Sequence, residues 1–389
     1  MKTDFQRAFV PFLDRRLDEE APLIQVLVGP RQVGKTTGVK QLIAQRDSPT
    51  HYASADDVLT SDRTWLLEQW QQALLLGQRA ILVIDEIQKV PNWPETIKGL
   101  WDRQASRSPD DRLRVILLGS SALQIQDGVT ESLAGRFELT RIYHWGFHEL
   151  QQAFDYDLDR YLAFGGYPGA VALEHDPDRW YAYLKESIVE TVIGRDILQF
   201  HRIGKPALFR QAFEILCHYP AQEISYTKLL GQLQDQGNTD LIKHYIALYE
   251  SAFMLNALEK YSAKAWRRRG SSPKILPGCP ALYRMNAGQP AIDNAEERGR
   301  VFELAVGAEL ARLPGRLWYW REGNAAVDFI YQHRGKLYAI EVKSGPRKSR
   351  KGLDAFCAQV PHAIPIIVTP EHFAQFSADP ANYLSRLEH

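Results

Sequence analysis

The chain predicts an α/β fold, a parallel sheet covered by helices and followed by smaller helical and mixed modules. Three observations carry that expectation. Short apolar runs at 23–28, 80–84 and 114–118 each end in glycine or polar residues. Stretches at 65–76 and 96–106 lie between them, with apolar residues at helical spacing. Strands that alternate with helices pair in parallel, bury both faces of the sheet and take ligands at their carboxyl ends.

The first apolar run opens onto Gly29-Pro30-Arg31-Gln32-Val33-Gly34-Lys35-Thr36-Thr37, and a helix-like stretch follows. Strand, glycine-bounded loop ending in Lys-Thr, then helix is the context of a phosphate-binding P-loop. Backbone amides of the loop and the helix N-terminus form an anion cradle, to which Gly29, Arg31, Gly34 and Thr37 contribute. Lys35 reaches the β- and γ-phosphates, and the Thr36 hydroxyl ligates Mg²⁺. The second run ends in Asp85-Glu86. Four apolar residues before two carboxylates read as a strand that delivers a magnesium ligand, Asp85, and a general base, Glu86. Taken alone, the same segment also fits a strand ending in two solvated acids. The third run ends in Gly119-Ser120-Ser121. Ser120 there either contacts the γ-phosphate or caps a helix. Arg136, in Leu133-Ala134-Gly135-Arg136, is a candidate arginine finger or else a surface ion-pair partner.

These segments together resemble the AAA-superfamily ATPases of one prokaryotic group, which carry a C-terminal nuclease-like domain of unknown function. The resemblance continues through Phe147-His148-Glu149-Leu150, Phe164-Gly165-Gly166-Tyr167-Pro168 and Gly194-Arg195-Asp196-Ile197, and covers nearly the whole chain. It implies ATP and Mg²⁺ as cofactors and supports the roles of Lys35, Thr36, Asp85, Glu86 and Arg136. It leaves open whether Arg136 serves its own subunit or a neighbour in a homo-oligomer.

Four modules are expected: a P-loop ATPase domain over 1–145, a helical lid over 146–205, a winged-helix-like domain over 206–285 and a nuclease-like α/β domain over 286–389. In the third, short helix, turn and longer helix form a helix-turn-helix pattern, and the resemblance also implies a winged helix there. Candidate DNA contacts are Lys228, Thr239, Lys243 and His244, a small set for phosphate binding. A basic cluster with interleaved aromatics, Tyr261, Lys264, Trp266 and Arg267 to Arg269, either holds a nucleic-acid backbone or forms a solvated loop.

In the last module, β-like runs at 326–331 and 337–343 flank a turn at 333–336. Side chains repeat every two residues along a strand, so Glu341 and Lys343 share a face, and Asp328 on the partner strand approaches Glu341. Asp, then Glu-x-Lys, after Glu303 on a helix, resembles the PD-(D/E)xK nuclease core. In that core carboxylates such as Glu303, Asp328 and Glu341 hold a second Mg²⁺ or Mn²⁺, and Lys343 assists catalysis. A charged hairpin face, or a retained fold without activity, fits the same residues. The basic run 347–351 either holds phosphates or is a solvated loop.

Composition sets the outer limits. The chain has 389 residues, 45% hydrophobic and 24% charged, with 47 basic and 47 acidic residues. A formal net charge of zero leaves DNA binding to local patches. Neither a signal-peptide core nor an apolar run of membrane length stands out, and the three cysteines are widely spaced. A cytoplasmic protein without membrane contact is expected. The expected function is a Mg-dependent, ATP-hydrolysing enzyme acting on DNA. The alternatives are a nucleotide-gated nuclease, or a non-cleaving switch that binds a protein partner.

Overall fold

A computed structural model describes residues 5–57, 61–120, 132–233, 238–262, 271–287, 294–345 and 350–387. The chain divides into two compact units, one running to Tyr143 and the other from His144. Ser121, the cluster at 264–269 and Arg347 to Ser349 lie outside the described residues.

The N-terminal unit begins with α1 (Phe9–Leu17) and continues as β1 (Ile24–Val28), α2 (Lys35–Ala44), β2 (Thr50–Ser54), α3 (Arg63–Leu75), β3 (Ile81–Asp85), α4 (Trp93–Gln104), β4 (Arg114–Gly119) and β5 (Phe137–Arg141). The sheet order is β2-β3-β4-β1-β5 and every pairing is parallel. β1, β3 and β4 are buried along their whole length. That is why they read as continuous apolar runs. β2 and β5 form the two edges, and their residues are mostly half-buried. Thr50-His51-Tyr52-Ala53-Ser54 therefore carries no apolar run, and neither edge strand was expected from the sequence. β4 lies between β1 and β3, so the ends of the P-loop strand, the Gly119-Ser120 strand and the acidic strand stand side by side.

The C-terminal unit opens with α5 (Phe147–Phe154), α6 (Leu158–Phe164) and α7 (Pro177–Ala182), followed by π-helical stretches Tyr183–Val189 and Val192–Leu198. Next come α8 (Pro206–Cys217), β6 (Gln222–Glu223), α9 (Tyr226–Gln232), α10 (Thr239–Ser251), β7 (Leu255–Leu258) and β8 (Lys274–Pro277). Ser225 and Asn238 cap α9 and α10 by accepting from the Lys228 and Leu241 amides. The buried stripe of α10 includes Tyr245 and Tyr249, whose rings lie 4.9 and 4.4 Å from Phe209 of α8. Strands β6, β8 and β7 form a small antiparallel sheet in that order.

The remainder is α11 (Pro280–Ala287), α12 (Ala295–Ala311), β9 (Arg316–Glu322), β10 (Ala325–His333), β11 (Lys336–Val342), α13 (Lys351–Gln359), β12 (Ile364–Val368), α14 (Pro370–Ala378) and α15 (Pro380–Arg386). The sheet order is β12-β11-β10-β9, antiparallel except for the parallel pair of β11 with β12. Trp318, Trp320, Ile330, Leu353 and Phe356 pack one of its cores. Glu309 of α12 joins three helices of this unit. Its carboxylate accepts from the Phe147 amide at 3.2 Å, the Ser377 hydroxyl at 2.9 Å and the Arg312 guanidinium at 3.1 Å. A buried carboxylate is tolerable because all three donors reach it.

Candidate functional site

The P-loop site is assembled at the carboxyl ends of three adjacent strands. After β1 the chain passes through Gly29, where an added Cβ would stand 2.1 Å from the Ile142 carbonyl oxygen. No larger residue fits that approach. Gly34 enters α2 with φ 86°, a left-handed conformation that glycine adopts without steric cost. It brings no side chain to cap α2, and a helix N-terminus of this kind favours an anion. Arg31, Gln32, Gly34, Lys35, Thr36, Thr37, Glu86 and Ser120 line a cavity of about 250 Å³.

Inside the loop, buried Lys35 donates to the carbonyls of Gly29 at 2.8 Å and Pro30 at 2.6 Å. These contacts hold its ammonium against the loop. The Thr36 hydroxyl donates to Asp85 Oδ2 at 2.8 Å, which joins the start of α2 to the end of β3. Tyr52 of β2 donates to the same oxygen at 2.7 Å. Burial and then the Asp85 hydrogen bond keep the Tyr52 phenol well above its ordinary pKa, so it stays a donor. Asp85 Oδ1 accepts from the Glu86 amide at 2.9 Å. Glu86 itself has φ 53°, a left-handed conformation uncommon for a side-chain-bearing residue. Gln88 donates to the Glu86 carboxylate and to Ser120 Oγ, the latter at 3.3 Å. Ser120 lies 3.4 Å from Glu86 Oε2, at the end of β4.

Lys35, Thr36, Asp85, Glu86 and Ser120 thus meet in one place. The sequence reading missed Tyr52 and Gln88. Tyr52 belongs to the unrecognised edge strand. Gln88, two residues beyond Glu86, was quoted in the motif but given no role.

Arg136 is elsewhere, and of the two placements left open by the sequence, its own subunit or a neighbour, the first does not bring it to this cavity. Its carbonyl accepts from the Ile24 amide, so it sits beside the first residue of β1. The P-loop leaves the last residue of that strand, and five strand residues separate the two levels by about 13 Å. Its guanidinium is bidentate to Asp102 of α4, at 2.7 and 3.0 Å. It also donates to the Ala134 carbonyl.

In the C-terminal unit, the antiparallel register that pairs Phe329 with Ile340 sets Asp328 opposite Glu341. Asp328 Oδ2 accepts from the Val342 amide at 2.8 Å. Glu303, from α12, faces the same place. The expected cation position, however, holds a lysine. Lys274 of β8 contacts Glu303, donates to the Asp328 carbonyl at 3.1 Å and lies 3.8 Å from Asp328 Oδ1. Lys343 is paired with Glu341. This corrects the reading of Glu303, Asp328 and Glu341 as a metal set. A covalently held ammonium already offsets part of the trio's charge, and among the described residues no group of three or more His, Cys, Asp or Glu is placed to hold a metal ion. Burial lowers the pKa of Lys274, but Glu303 and then Asp328 outweigh it and hold the lysine charged. Burial, followed by the Asp328 charge, pushes the Glu303 carboxyl up against the pull of Lys274.

Residues 21–151 match the family model of an AAA domain. Residues 155–286 and 298–384 match the models of two domains of unknown function, DUF8612 and DUF4143. The chain is similar to the uncharacterized protein Rv2008c of Mycobacterium tuberculosis, 27% identical over 366 residues, covering 92% of this chain and 79% of that protein. It is also similar to the uncharacterized protein MJ1544 of Methanocaldococcus jannaschii, 25% identical, covering 79% and 71%. Among solved structures, the RuvB Holliday junction branch migration motor of Thermotoga maritima is 15% identical with a TM-score of 0.35, covering 67% of this chain and 93% of that one. Cdc6p from Pyrobaculum aerophilum is 12% identical with a TM-score of 0.31, covering 78% and 96%. Scores this low decide nothing about the present chain. The AAA match and the five-stranded parallel sheet agree on an AAA-type, P-loop ATPase-like N-terminal domain. No helix among the described residues is long and apolar enough to cross a membrane.

Proposed function

We propose that this protein is a magnesium-dependent AAA-type ATPase that acts on DNA through its C-terminal unit. The observation that supports hydrolysis is the convergence of Lys35, Thr36, Glu86 and Ser120 on one cavity, with Asp85 bonded to Thr36 and Glu86 behind it. Thr36 and Asp85 offer hard oxygen donors 2.8 Å apart, a set that suits Mg²⁺. The ion, when bound there, neutralises charge on the β- and γ-phosphates. Lys35 and the amides at the start of α2 bind the phosphates. Arg31 and Thr37 line the same cavity and complete the cradle. Glu86 takes the proton of the attacking water, and Gln88 and Ser120 orient its carboxylate. Arg136 serves the nucleotide of a neighbouring subunit in a homo-oligomer.

The order α8-β6-α9-α10-β7-β8 supports a winged-helix module within 206–285. Lys228, Lys243 and His244 are exposed on its two recognition-type helices. Lys243 is also paired with Asp240, so the patch offers few phosphate contacts and modest affinity. Helix α12, the antiparallel strands β9 to β11, helix α13 and the parallel strand β12 support a nuclease-like fold for 286–389. The ion pairs of Lys274 and Lys343 favour a second reading of that module, as one that binds DNA or a protein without cutting. The helices within 146–205 would form the lid, and a cytoplasmic location fits three cysteines that are all free.

The test is Glu86→Gln. The variant is expected to bind ATP like the unsubstituted protein and to lose turnover by about 100-fold or more, the usual contribution of a positioned base. Turnover should rise when double-stranded DNA is added to the unsubstituted protein. Full turnover in Glu86→Gln refutes the assigned base, and indifference to every DNA tried refutes the DNA reading.

A further inference from the structure

We infer that Lys274 is a built-in cation, holding the place a divalent metal would take among Glu303, Asp328 and Glu341, and that removing it creates a metal site. The inference deepens the non-cutting reading of the nuclease-like module. Lys274 comes from β8, which lies outside that module's own sheet, and its side chain is 7% exposed. All its polar contacts point one way. It meets Glu303 and the Asp328 carbonyl, and Asp328 Oδ1 lies within ion-pair distance. The face of Phe329, 4.7 Å away, closes the remaining side.

Charge and satisfaction agree. Three carboxylates face two ammonium groups, those of Lys274 and Lys343. Remove Lys274 and the trio is left two charges short, the charge of one divalent ion. Glu341 Oε2 is buried with no hydrogen-bond partner, so one ligand position is already empty-handed. Hard carboxylate oxygens from Glu303, Asp328 and Glu341, with the Asp328 carbonyl released by the lysine, form a donor set that suits Mg²⁺ or Mn²⁺. A mobile metal in the intact protein would have to displace an ammonium tethered beside its own counter-charges.

The experiment is a Mn²⁺ titration of nucleotide-free, full-length protein, with free Mn²⁺ read by electron paramagnetic resonance. It compares the unsubstituted protein, Lys274→Met and Lys274→Ala, each with and without Asp328→Asn. Lys274→Met keeps most of the side-chain volume and guards against a variant that fails to fold. The Lys274 variants are expected to bind one Mn²⁺ more than the unsubstituted protein, at least tenfold tighter than any site it shows, and Asp328→Asn should abolish that gain. Two results overturn the inference. One is a folded Lys274 variant that gains no Mn²⁺. The other is a Mn²⁺ bound by the unsubstituted protein and lost in Asp328→Asn, an arm that needs no change at Lys274. Neither result touches the Glu86→Gln test, so failure here leaves the ATPase reading standing.

Discussion

Replacing Arg136 by alanine separates a finger for a neighbour from a residue of the local site. Arg136 stands at the opposite end of β1 from the P-loop, about 13 Å away along the strand. Across that span a unit charge contributes about 0.3 kcal/mol to a group in water and about 1.3 kcal/mol at an effective dielectric constant of 20. In its own subunit the guanidinium therefore changes turnover by about tenfold at most. An inserted arginine finger is worth 10³ to 10⁵ in rate, or about 4–7 kcal/mol. The Asp102 pair is open to solvent, 31% and 45% exposed, so losing it changes stability little. ATP hydrolysis per subunit should be measured over a wide range of protein concentration. Dilute Arg136→Ala should stay within about tenfold of the unsubstituted protein. At concentrations where the unsubstituted rate per subunit climbs, the variant should fall behind by about 10³ or more. An equally large loss at every dilution would mean that Arg136 reaches its own nucleotide, and the strand-end geometry would be refuted.

Two further outcomes are expected. Glu309→Ala strands Arg312, whose next acid, Glu149, is 4.0 Å away, and deprives the Phe147 amide and Ser377 hydroxyl of their acceptor. Breaking a buried pair costs about 3–5 kcal/mol, so the C-terminal unit should melt roughly 6–20 °C lower by calorimetry, and a shift no larger than that of Glu296→Ala, which removes an exposed partner of Arg300 on the same helix, would contradict the account. Burial raises Glu174 to about 7, although Arg160 donates to its carboxylate at 2.7 Å. An acid raised above its ordinary value of 4.5 favours folding when protonated, so its cost sets in as pH rises from about 4.5 and is complete above about 7. Glu174→Gln should thus gain melting temperature relative to the unsubstituted protein between pH 5 and pH 8; the opposite slope would show that Arg160 dominates.

What the sequence revealed follows from burial. β1, β3 and β4 are central strands covered on both faces, so their apolar runs announced themselves, and the motifs at their ends came with them. β2 and β5 are half-buried edges made of mixed residues. Missing β2 hid Tyr52. Missing β5 left the position of Arg136 undecided, because a residue just before a strand parallel to β1 must lie at the end away from the loop. The Asp328 and Glu341 pairing was legible from strand periodicity alone. Lys274 was not, since it reads locally as one polar residue beginning a short apolar strand, and its partners lie 29 and 54 residues away.

The Asp85 carboxylate serves two clients at once. One oxygen receives Thr36 and Tyr52, and the other fastens the amide of Glu86, whose backbone sits in an uncommon conformation. An ion arriving at the first oxygen must compete with two hydroxyls, and any turn of the carboxylate made in accommodating it pulls on the backbone that aims the base. Loading of the first oxygen and placement of the Glu86 backbone would then be a single mechanical event.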